Sequence, residues 1–341
     1  MTLATGNHRQ LSYAAAIQTS PMKAIVYHRH GPPEVLQFEE VPKPVPADDQ
    51  VLIRVHAAGL NPLDWRLMRA PLWFTAIMRR FTHEAVTQPG VDVAGIVESA
   101  GSAITLFRAG DAVFGVCKGA CAEYACARES ELVLKPGNIS FDQAASVPVA
   151  ALTALQGLRD HAHLQPGQSV LINGASGGVG TFAVQIARWL GAEITAVCSA
   201  RNADLVRALG AQHVIDYIRE DFTRSQSRYD VLFDLIGNHS LRACCRVLKP
   251  TGVFVGAGAP KSMLSVMAGL LAIRIMPLFV TQKMTFFMAK RRAEDLNLIA
   301  ELMASGKLVP VVDQTWPLHE TADAIRYLEQ GHARGKVVIQ V

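Results

Sequence analysis

A glycine-rich turn between an apolar run and an amphipathic segment constrains this chain more than any other feature. The apolar run is 170–173, the turn is 174–180, and residues 181–190 carry apolar side chains at helical spacing until Gly191 ends the segment. A strand, a tight turn and a helix in this order bring backbone N–H groups and the positive end of a helix to one point. The pattern predicts a pyrophosphate-binding turn, and the competing interpretation is an ordinary strand-to-helix connection.

The spacing of the small residues refines this prediction. Ala175, Gly177 and Gly180 occupy the three positions of the dinucleotide-binding fingerprint, so alanine replaces its first glycine. Alanine fits that position only if its φ angle is negative. The sequence therefore predicts a dinucleotide site in which Ala175 has a negative φ.

The next predicted strand ends without the acidic residue that usually binds the ribose of NAD. Strand 193–198 is followed by Ser199 and then by Arg201. A hydroxyl and a fixed cation suit a 2′-phosphate, which an aspartate would repel. The sequence favours NADPH over NADH, and the alternative is that Arg201 lies in solvent beside the next helix.

Composition sets the broad class. The chain has 341 residues, 50% of them hydrophobic and 18% charged, which suits two domains and a large buried parallel sheet. The net charge is +4, and the short basic runs 79–80 and 290–292 are typical of solvated helix ends, so no nucleic-acid partner is expected. Six cysteines without a secretory signal indicate buried free thiols and a reducing, cytoplasmic location.

The order of predicted elements divides the chain. Residues 1–21 read as a disordered extension, with a short organelle-targeting peptide as the weaker alternative. Residues 22–147 are rich in strands, and 308–341 return to strands around a helix at 321–330. Between them, 148–307 alternate strands and helices, which predicts a doubly wound parallel sheet of the α/β class. Residues 249–252 are predicted to be a turn that leads into the strand 253–256.

One strongly apolar stretch, 263–280, is not expected to cross a membrane. Arg274 and Pro277 interrupt it, and its length is near the lower limit of about 17–25 residues for a span. It is predicted to be a helix and a strand that line an apolar pocket or a subunit interface, with peripheral membrane contact as the minority hypothesis.

Several further motifs, taken in order, point to one family. They are 58–64 (AGLNPLD), 89–95 (PGVDVAG), 110–115 (GDAVFG), 122–125 (AEYA), 152–155 (LTAL) and 335–338 (GKVV), with the glycine turn between the last two. With these motifs the chain resembles the medium-chain dehydrogenase/reductase superfamily, in its zinc-independent quinone-oxidoreductase-like branch. The resemblance implies a β-rich, GroES-like catalytic domain (22–147 and 308–341) around an inserted Rossmann domain (148–307), with substrate and nicotinamide meeting between them. It also implies a homodimer.

The resemblance argues against a metal. Zinc-dependent relatives have a cysteine where this chain has Asn61 and a His-Glu pair where it has Val91-Asp92, and neither Asn61 nor Val91 is a normal zinc ligand. His83-Glu84 lies upstream of the motif that fixes the alignment, and the spacing of Cys117, Cys121 and Cys126 matches no familiar zinc pattern. Without a Lewis acid, a small lipophilic electrophile such as a quinone or an α,β-unsaturated carbonyl is the expected substrate. A zinc-free alcohol or aldehyde dehydrogenase and a non-catalytic NADPH-binding sensor remain alternatives.

Three residues are candidates for the chemistry. Asn61 is predicted to donate an amide N–H to the substrate oxygen. Asp64 has either a catalytic role or a structural role in a turn, and Thr153 either contacts the nicotinamide or its ribose or belongs to a helix start. Some relatives carry a tyrosine as proton donor after the Asn-Pro motif, where this chain has Trp65-Arg66. Apolar pocket walls are expected from Trp65, Trp73 and Phe74.

The cofactor residues follow from the turn, from the strand ends and from the resemblance. The pyrophosphate is expected on the turn residues Ala175, Ser176, Gly177, Gly178 and Val179. The adenosine phosphate is expected near Ser199, Arg201 and Tyr217. Later strand ends contribute Gly237, Asn238, Gly256, Ala257 and Gly258, and Gly335 and Lys336 are expected to close over the cofactor from the catalytic domain.

Overall fold

The computed structural model describes residues 20–69, 88–257 and 281–341. Its strands are β1 (Pro21–Val26), β2 (Gln37–Pro42), β3 (Gln50–Leu60), β4 (Asp92–Ala100), β5 (Ala112–Val116), β6 (Tyr124–Arg128), β7 (Leu132–Leu134), β8 (Ser169–Asn173), β9 (Glu193–Cys198), β10 (His213–Asp216), β11 (Tyr229–Asp234), β12 (Leu248–Gly256), β13 (Lys283–Phe286), β14 (Val312–Pro317) and β15 (Lys336–Gln340). Its α-helices are α1 (Pro62–Met68), α2 (Phe141–Ala145), α3 (Pro148–Gln156), α4 (Gly178–Trp189), α5 (Ala203–Leu209), α6 (Leu241–Cys245), α7 (Ala293–Ala304) and α8 (Thr321–Glu329).

One sheet is parallel and doubly wound. Its strand order is β10-β9-β8-β11-β12-β13, and every neighbouring pair is parallel. From β8 the chain moves outward through β9 and β10, then returns to the other side of β8 with β11. The order reverses between β8 and β11, and ligands of such sheets bind beyond the carboxyl ends of the strands at this point. The predicted α/β class is confirmed.

The other large sheet is built from both ends of the described chain. Its order is β14-β15-β3-β4-β5-β7, with β6 paired to β3. The first half of β3 pairs with β6, whereas its second half pairs with β15, so that Leu60 faces Val337. On its other side β3 pairs with β4, where Gly59 faces Asp92. The carboxyl end of β3 therefore meets the start of β4 and the start of β15.

Apolar packing joins the two sheets. Phe114 of β5, Leu155 of α3 and Phe182 of α4 are fully buried members of one continuous cluster. That cluster also covers one face of the parallel sheet, and a second cluster around Leu171 and Phe254 covers the opposite face. Strands buried on both faces explain why their sequences are nearly continuous apolar runs.

The turn predicted at 249–252 is corrected by the structure. Leu248–Gly256 is a single strand, β12, whose register against β11 shifts between the pairs Tyr229–Leu248 and Val231–Val253. Pro250 and Gly252 lie in this irregular part, as a bulge permits. The turn residues are thus placed inside a strand rather than before it.

Other predictions concern membranes, cysteines and segments outside the description. No helix among residues 20–69, 88–257 and 281–341 is long and apolar enough to span a membrane. All six cysteines are free, and five of them are buried while Cys126 is half-buried. The predictions for 1–19, Trp73, Phe74, 79–80, His83-Glu84, Gly258 and the stretch 263–280 fall outside the described residues.

Candidate active site

The glycine turn has the geometry that its sequence predicts. Gly174 has a φ of 88°, whereas Ala175 is not among the described residues with a positive φ, as an alanine requires. A Cβ atom on Gly180 would lie 2.1 Å from the carbonyl oxygen of Gly174, so this position needs glycine for the close packing of α4 on the turn. A Cβ atom on Gly177 would meet only that same oxygen at 3.5 Å. Gly177 thus faces space that the described residues do not fill.

Polar side chains at two neighbouring strand ends are linked by hydrogen bonds. The amide of Asn173, at the end of β8, donates to Asp234 at 2.9 Å and to Asn238 at 3.0 Å. The same Asp234 oxygen accepts the backbone N–H of Gly237 at 3.0 Å. The backbone N–H of Ala257, after β12, donates to the carbonyl oxygen of Asp234 at 3.0 Å. The predicted residues Gly237, Asn238 and Ala257 therefore lie together at the carboxyl edge of the sheet.

The residues predicted for the adenosine phosphate follow the next two strands. Ser199 is buried after β9, and Tyr217 is 53% exposed after β10, with its backbone N–H on the Cys198 carbonyl at 3.2 Å. Arg201 donates to the carbonyl oxygen of His332 at 3.1 Å, a contact that connects the strand-end loop to the loop between α8 and β15. Among the described residues no carboxylate forms an ion pair with this guanidinium.

Asn202 extends this group, and no motif in the sequence pointed to it. Its amide nitrogen donates to the Ser176 hydroxyl at 2.9 Å, so it ties the loop after β9 to the glycine turn. Its side-chain oxygen is buried and has no hydrogen-bond partner in the part of the chain that the structure describes. Buried polar atoms normally find a partner, so this atom marks a place where a bound group would complete the hydrogen bonding.

Asp64 holds the backbone of two segments. Its carboxylate accepts the N–H of Asn61 at 2.7 Å and the N–H of Gly90 at 3.1 Å. The first bond closes a capping box at the start of α1, and the second ties that helix to the chain entering β4. Burial raises the pKa of the Asp64 carboxyl to about 6, and the nearby charge of Asp92 adds to the rise. These contacts match the structural alternative for Asp64.

Asn61, Asp92 and Lys336 form a buried hydrogen-bonded cluster, here called the amide cluster. The Lys336 ammonium lies 2.6 Å from Oδ1 of Asn61 and 3.1 Å from Oδ2 of Asp92. The amide nitrogen of Asn61 donates to the same Asp92 oxygen at 2.9 Å. The exposed fractions of the three residues are 5%, 0% and 3% in chain order. The sequence predicted that Lys336 contacts the cofactor, whereas its ammonium group here lies on Asn61 and Asp92.

Asp92 was missed as a site residue, although it stands as an acid at the start of an apolar strand. Its other oxygen, Oδ1, accepts the backbone N–H of Val149 at 2.9 Å in the first turn of α3. This contact ties the Asp92 carboxylate to the start of α3, while its other oxygen faces Asn61 and Lys336. Thr153, one turn further along α3, donates its hydroxyl to the Val149 carbonyl at 2.7 Å. Thr153 is half-buried, and its hydroxyl proton is used within the helix.

The turn and the amide cluster meet at the start of β15. Gly335 has a φ of 106° and forms a parallel bridge with Gly177. A Cβ atom on Gly178 would lie 2.9 Å from Cδ of Lys336, so the lysine stem packs against the first turn of α4. The same lysine thus touches the predicted pyrophosphate turn with its stem and Asn61 with its ammonium group.

The prediction that the site holds no zinc rests on the residue types at positions 61 and 91. Within the described ranges no group of three or more His, Cys, Asp and Glu side chains could hold a metal ion. The thiol pKa values are raised by burial, to about 11 for Cys126 and about 12 for Cys244.

Trp65, one of the predicted pocket walls, is half-buried and packs against the apolar cluster that includes Leu60 and Met68.

Comparisons with known proteins cover nearly the whole chain. The chain matches the family "Alcohol dehydrogenase GroES-like domain" over residues 47–152 and the family "Zinc-binding dehydrogenase" over residues 209–339. It is 35% identical over 338 residues to the chloroplastic quinone-oxidoreductase homolog of Spinacia oleracea, covering 94% of this chain and 98% of that protein. It is also 35% identical over 334 residues to the chloroplastic NADPH-dependent alkenal/one oxidoreductase of Arabidopsis thaliana, covering 93% and 79% respectively.

A solved structure agrees with these sequence matches. The quinone oxidoreductase from Coxiella burnetii superposes with a TM-score of 0.84 at 33% identity, covering 94% of this chain and 99% of that one. The names of these relatives support an oxidoreductase with a nicotinamide cofactor. The chain belongs to the medium-chain dehydrogenase/reductase superfamily, in its quinone-oxidoreductase-like branch.

Proposed function

We infer that this protein is an NADPH-dependent reductase that transfers hydride to quinones or α,β-unsaturated carbonyl compounds without a metal. The observation that carries the proposal is the fixed amide of Asn61. Its Oδ1 faces the Lys336 ammonium, and one N–H of its Nδ2 faces Asp92. Among the described residues the other N–H has only a contact of 3.5 Å with the Gly59 carbonyl, so it can donate to a substrate oxygen.

The turn residues fit a dinucleotide. A Cβ atom built on Gly177 would make no close contact with the described residues. Because Gly177 has no side chain, its backbone can lie close to a bound pyrophosphate. Gly178 begins α4, so the first N–H groups of that helix and its positive end face the same region. When bound, the nicotinamide ring supplies the hydride.

The residues of the chain then have defined tasks. When a quinone or enone accepts hydride, negative charge moves to its oxygen, where the Asn61 N–H would stabilise it as a preorganised donor. Asp92 and Lys336 hold the amide in place, and water supplies the proton. An amide stabilises such charge more weakly than a Lewis acid does, which favours substrates that are already electrophilic.

Cofactor preference rests on Arg201. Its guanidinium has no carboxylate partner within the described ranges and follows the buried Ser199 by two residues, so it offers charge and donors to a 2′-phosphate. The exposed Tyr217 follows the neighbouring strand at the same edge of the sheet and is proposed for the same adenosine end. We therefore expect NADPH to bind more tightly than NADH.

The test is NADPH oxidation by the purified, EDTA-treated protein against a panel of quinones and enones, with NADH in parallel. Turnover that survives chelation and prefers NADPH is the expected result. Zinc-dependent turnover, or oxidation of simple alcohols with NADP in place of enone reduction, would refute the proposal in favour of a dehydrogenase. NADPH binding without turnover over the whole panel would instead favour a sensor.

A further inference from the structure

Lys336 contacts both parts of the candidate site, the glycine turn and the other residues of the amide cluster. Its stem lies against Gly178 of the glycine turn, and its ammonium group lies on Asn61 and Asp92. Lys336 begins β15, whose next residue, Val337, pairs with Leu60 directly before Asn61. The sheet register therefore fixes the lysine beside the amide, although 275 positions of sequence separate them.

The charges in the amide cluster fix the direction of the amide. An ammonium group only donates hydrogen bonds, so it selects the oxygen of Asn61, and an ionised carboxylate only accepts them, so it selects the nitrogen. Rotating the amide by a half turn would place its N–H groups against Lys336 and its oxygen against Asp92. Both contacts would then be repulsive in a site from which water is largely excluded. The amide therefore has one orientation, and it presents its remaining N–H on a defined side.

The burial of this pair is not explained by stability. Lys336 and Asp92 are 3% and 0% exposed, and the desolvation of a buried ion pair offsets most or all of its attraction. An apolar pair of similar volume would stabilise the fold as well. A lysine that directs the neighbouring amide accounts for the choice of an ionic pair at this position.

We propose that Lys336 is a positioning residue, which sets the orientation of the Asn61 amide and links it to the pyrophosphate turn through its stem. This inference rests on the proposed role of Asn61 as donor to the substrate oxygen. Lys336 acts through that amide and not as a ligand of the cofactor.

A double-mutant cycle tests the inference. The variants are Lys336→Met, Asn61→Ala and the double variant, each measured for kcat with an enone and for NADPH affinity by fluorescence titration. We expect kcat to fall about 100-fold for Asn61→Ala, since one preorganised donor is worth about 10²–10³, and about tenfold for Lys336→Met. The double variant should be no slower than Asn61→Ala alone, because a lysine without its amide has nothing left to position. NADPH affinity should stay within about threefold throughout.

Controls keep the result interpretable. Lys307→Met removes an exposed lysine and should leave kcat and NADPH affinity unchanged. Because Lys336→Met leaves Asp92 without its cation, Asp92→Asn/Lys336→Met removes both charges, and this variant should fold and still show the low kcat.

Three outcomes would overturn the inference, and they are distinguishable. Additive losses in the double variant would mean that Lys336 acts independently of Asn61. A tenfold or greater loss of NADPH affinity with unchanged kcat for Lys336→Met would make the lysine a cofactor ligand. Full activity of Asn61→Ala would remove the donor role itself, and with it the part of the proposed function on which the inference rests.

Discussion

The glycine turn and the amide cluster adjoin each other, yet they are assembled in opposite ways. The turn is contiguous, and its strand, bend and helix all lie within residues 169–189. The cluster joins Asn61 to Asp92, 31 positions away, and to Lys336, 275 positions away. The comparison teaches that the glycine turn is a local property of this sequence, whereas the proposed donor, Asn61, depends on the register of three strands.

The largest effect is expected from the cluster. Asn61→Ala should lower kcat for enone reduction by about 10²–10³, because the donor to the developing oxyanion is lost. The dissociation constant of NADPH should stay nearly constant, since the turn is intact. Stopped-flow absorbance and fluorescence titration measure the two quantities. A parallel loss of NADPH affinity would break the comparison, because the two regions would then not be separable.

The buried carboxyl of Asp64, which accepts the backbone N–H of Asn61, should make the unfolding free energy of the protein depend on pH. The unfolded carboxyl titrates near pH 4, whereas its folded pKa is raised by burial to about 6. Between these values the folded state keeps a proton that the unfolded state has lost, so this group opposes folding increasingly as the pH rises. The resulting loss of unfolding free energy amounts to about 3 kcal/mol and is complete above about pH 6.

The measurement compares urea unfolding of the wild type and Asp64→Asn. The unfolding free energy of the wild type relative to the variant should fall by about 3 kcal/mol between about pH 4 and pH 7.5. The variant also loses an acceptor for one backbone N–H, which is an offset independent of pH. A free-energy difference that stays constant or rises with pH would contradict the assignment.

On the turn side, Arg201→Glu should separate the two cofactors. Reversing the charge should raise KM for NADPH by about 30-fold or more, since a charge-assisted hydrogen bond is worth about 1.5–3 kcal/mol. KM for NADH should change less than about threefold. Arg207→Glu, the same change on the exposed face of α5, is the matched control. Equal effects on both cofactors would mean that Arg201 does not recognise the 2′-phosphate.

The smallest effects are expected from alanine substitutions at two glycines of the turn, Gly177 and Gly180, which should differ in kind. A Cβ atom on Gly177 meets no close contact, so Gly177→Ala should leave Tm unchanged but weaken NADPH binding about tenfold by obstructing the pyrophosphate. Gly180→Ala pushes a Cβ atom to 2.1 Å from a backbone oxygen and should destabilise the fold by about 1–3 kcal/mol. Differential scanning fluorimetry and titration distinguish them. If Gly177→Ala binds NADPH as tightly as the wild type, the pyrophosphate does not lie against Gly177.

The sequence predicted the local parts of the site well. The turn, the negative φ of Ala175 and the place of Asn238 after a strand end follow from residue order, because a strand end, a glycine and a helix start are local signals. It did not predict that Lys336 reaches Asn61, since the pairing of β3 with β15 is set by tertiary packing and not by either strand alone. Asp92 was missed for the same reason, because its partners come from three separate segments.

The most direct test of the central claim follows the hydride itself. NADPH deuterated at both hydrogens on C4 of the dihydronicotinamide is incubated with the EDTA-treated enzyme and a 2-alkenal or cyclic enone, and the product is examined by NMR. We predict deuterium on the β-carbon of a saturated carbonyl product. Deuterium on the carbonyl carbon of an allylic alcohol, or a product without deuterium, would contradict the account.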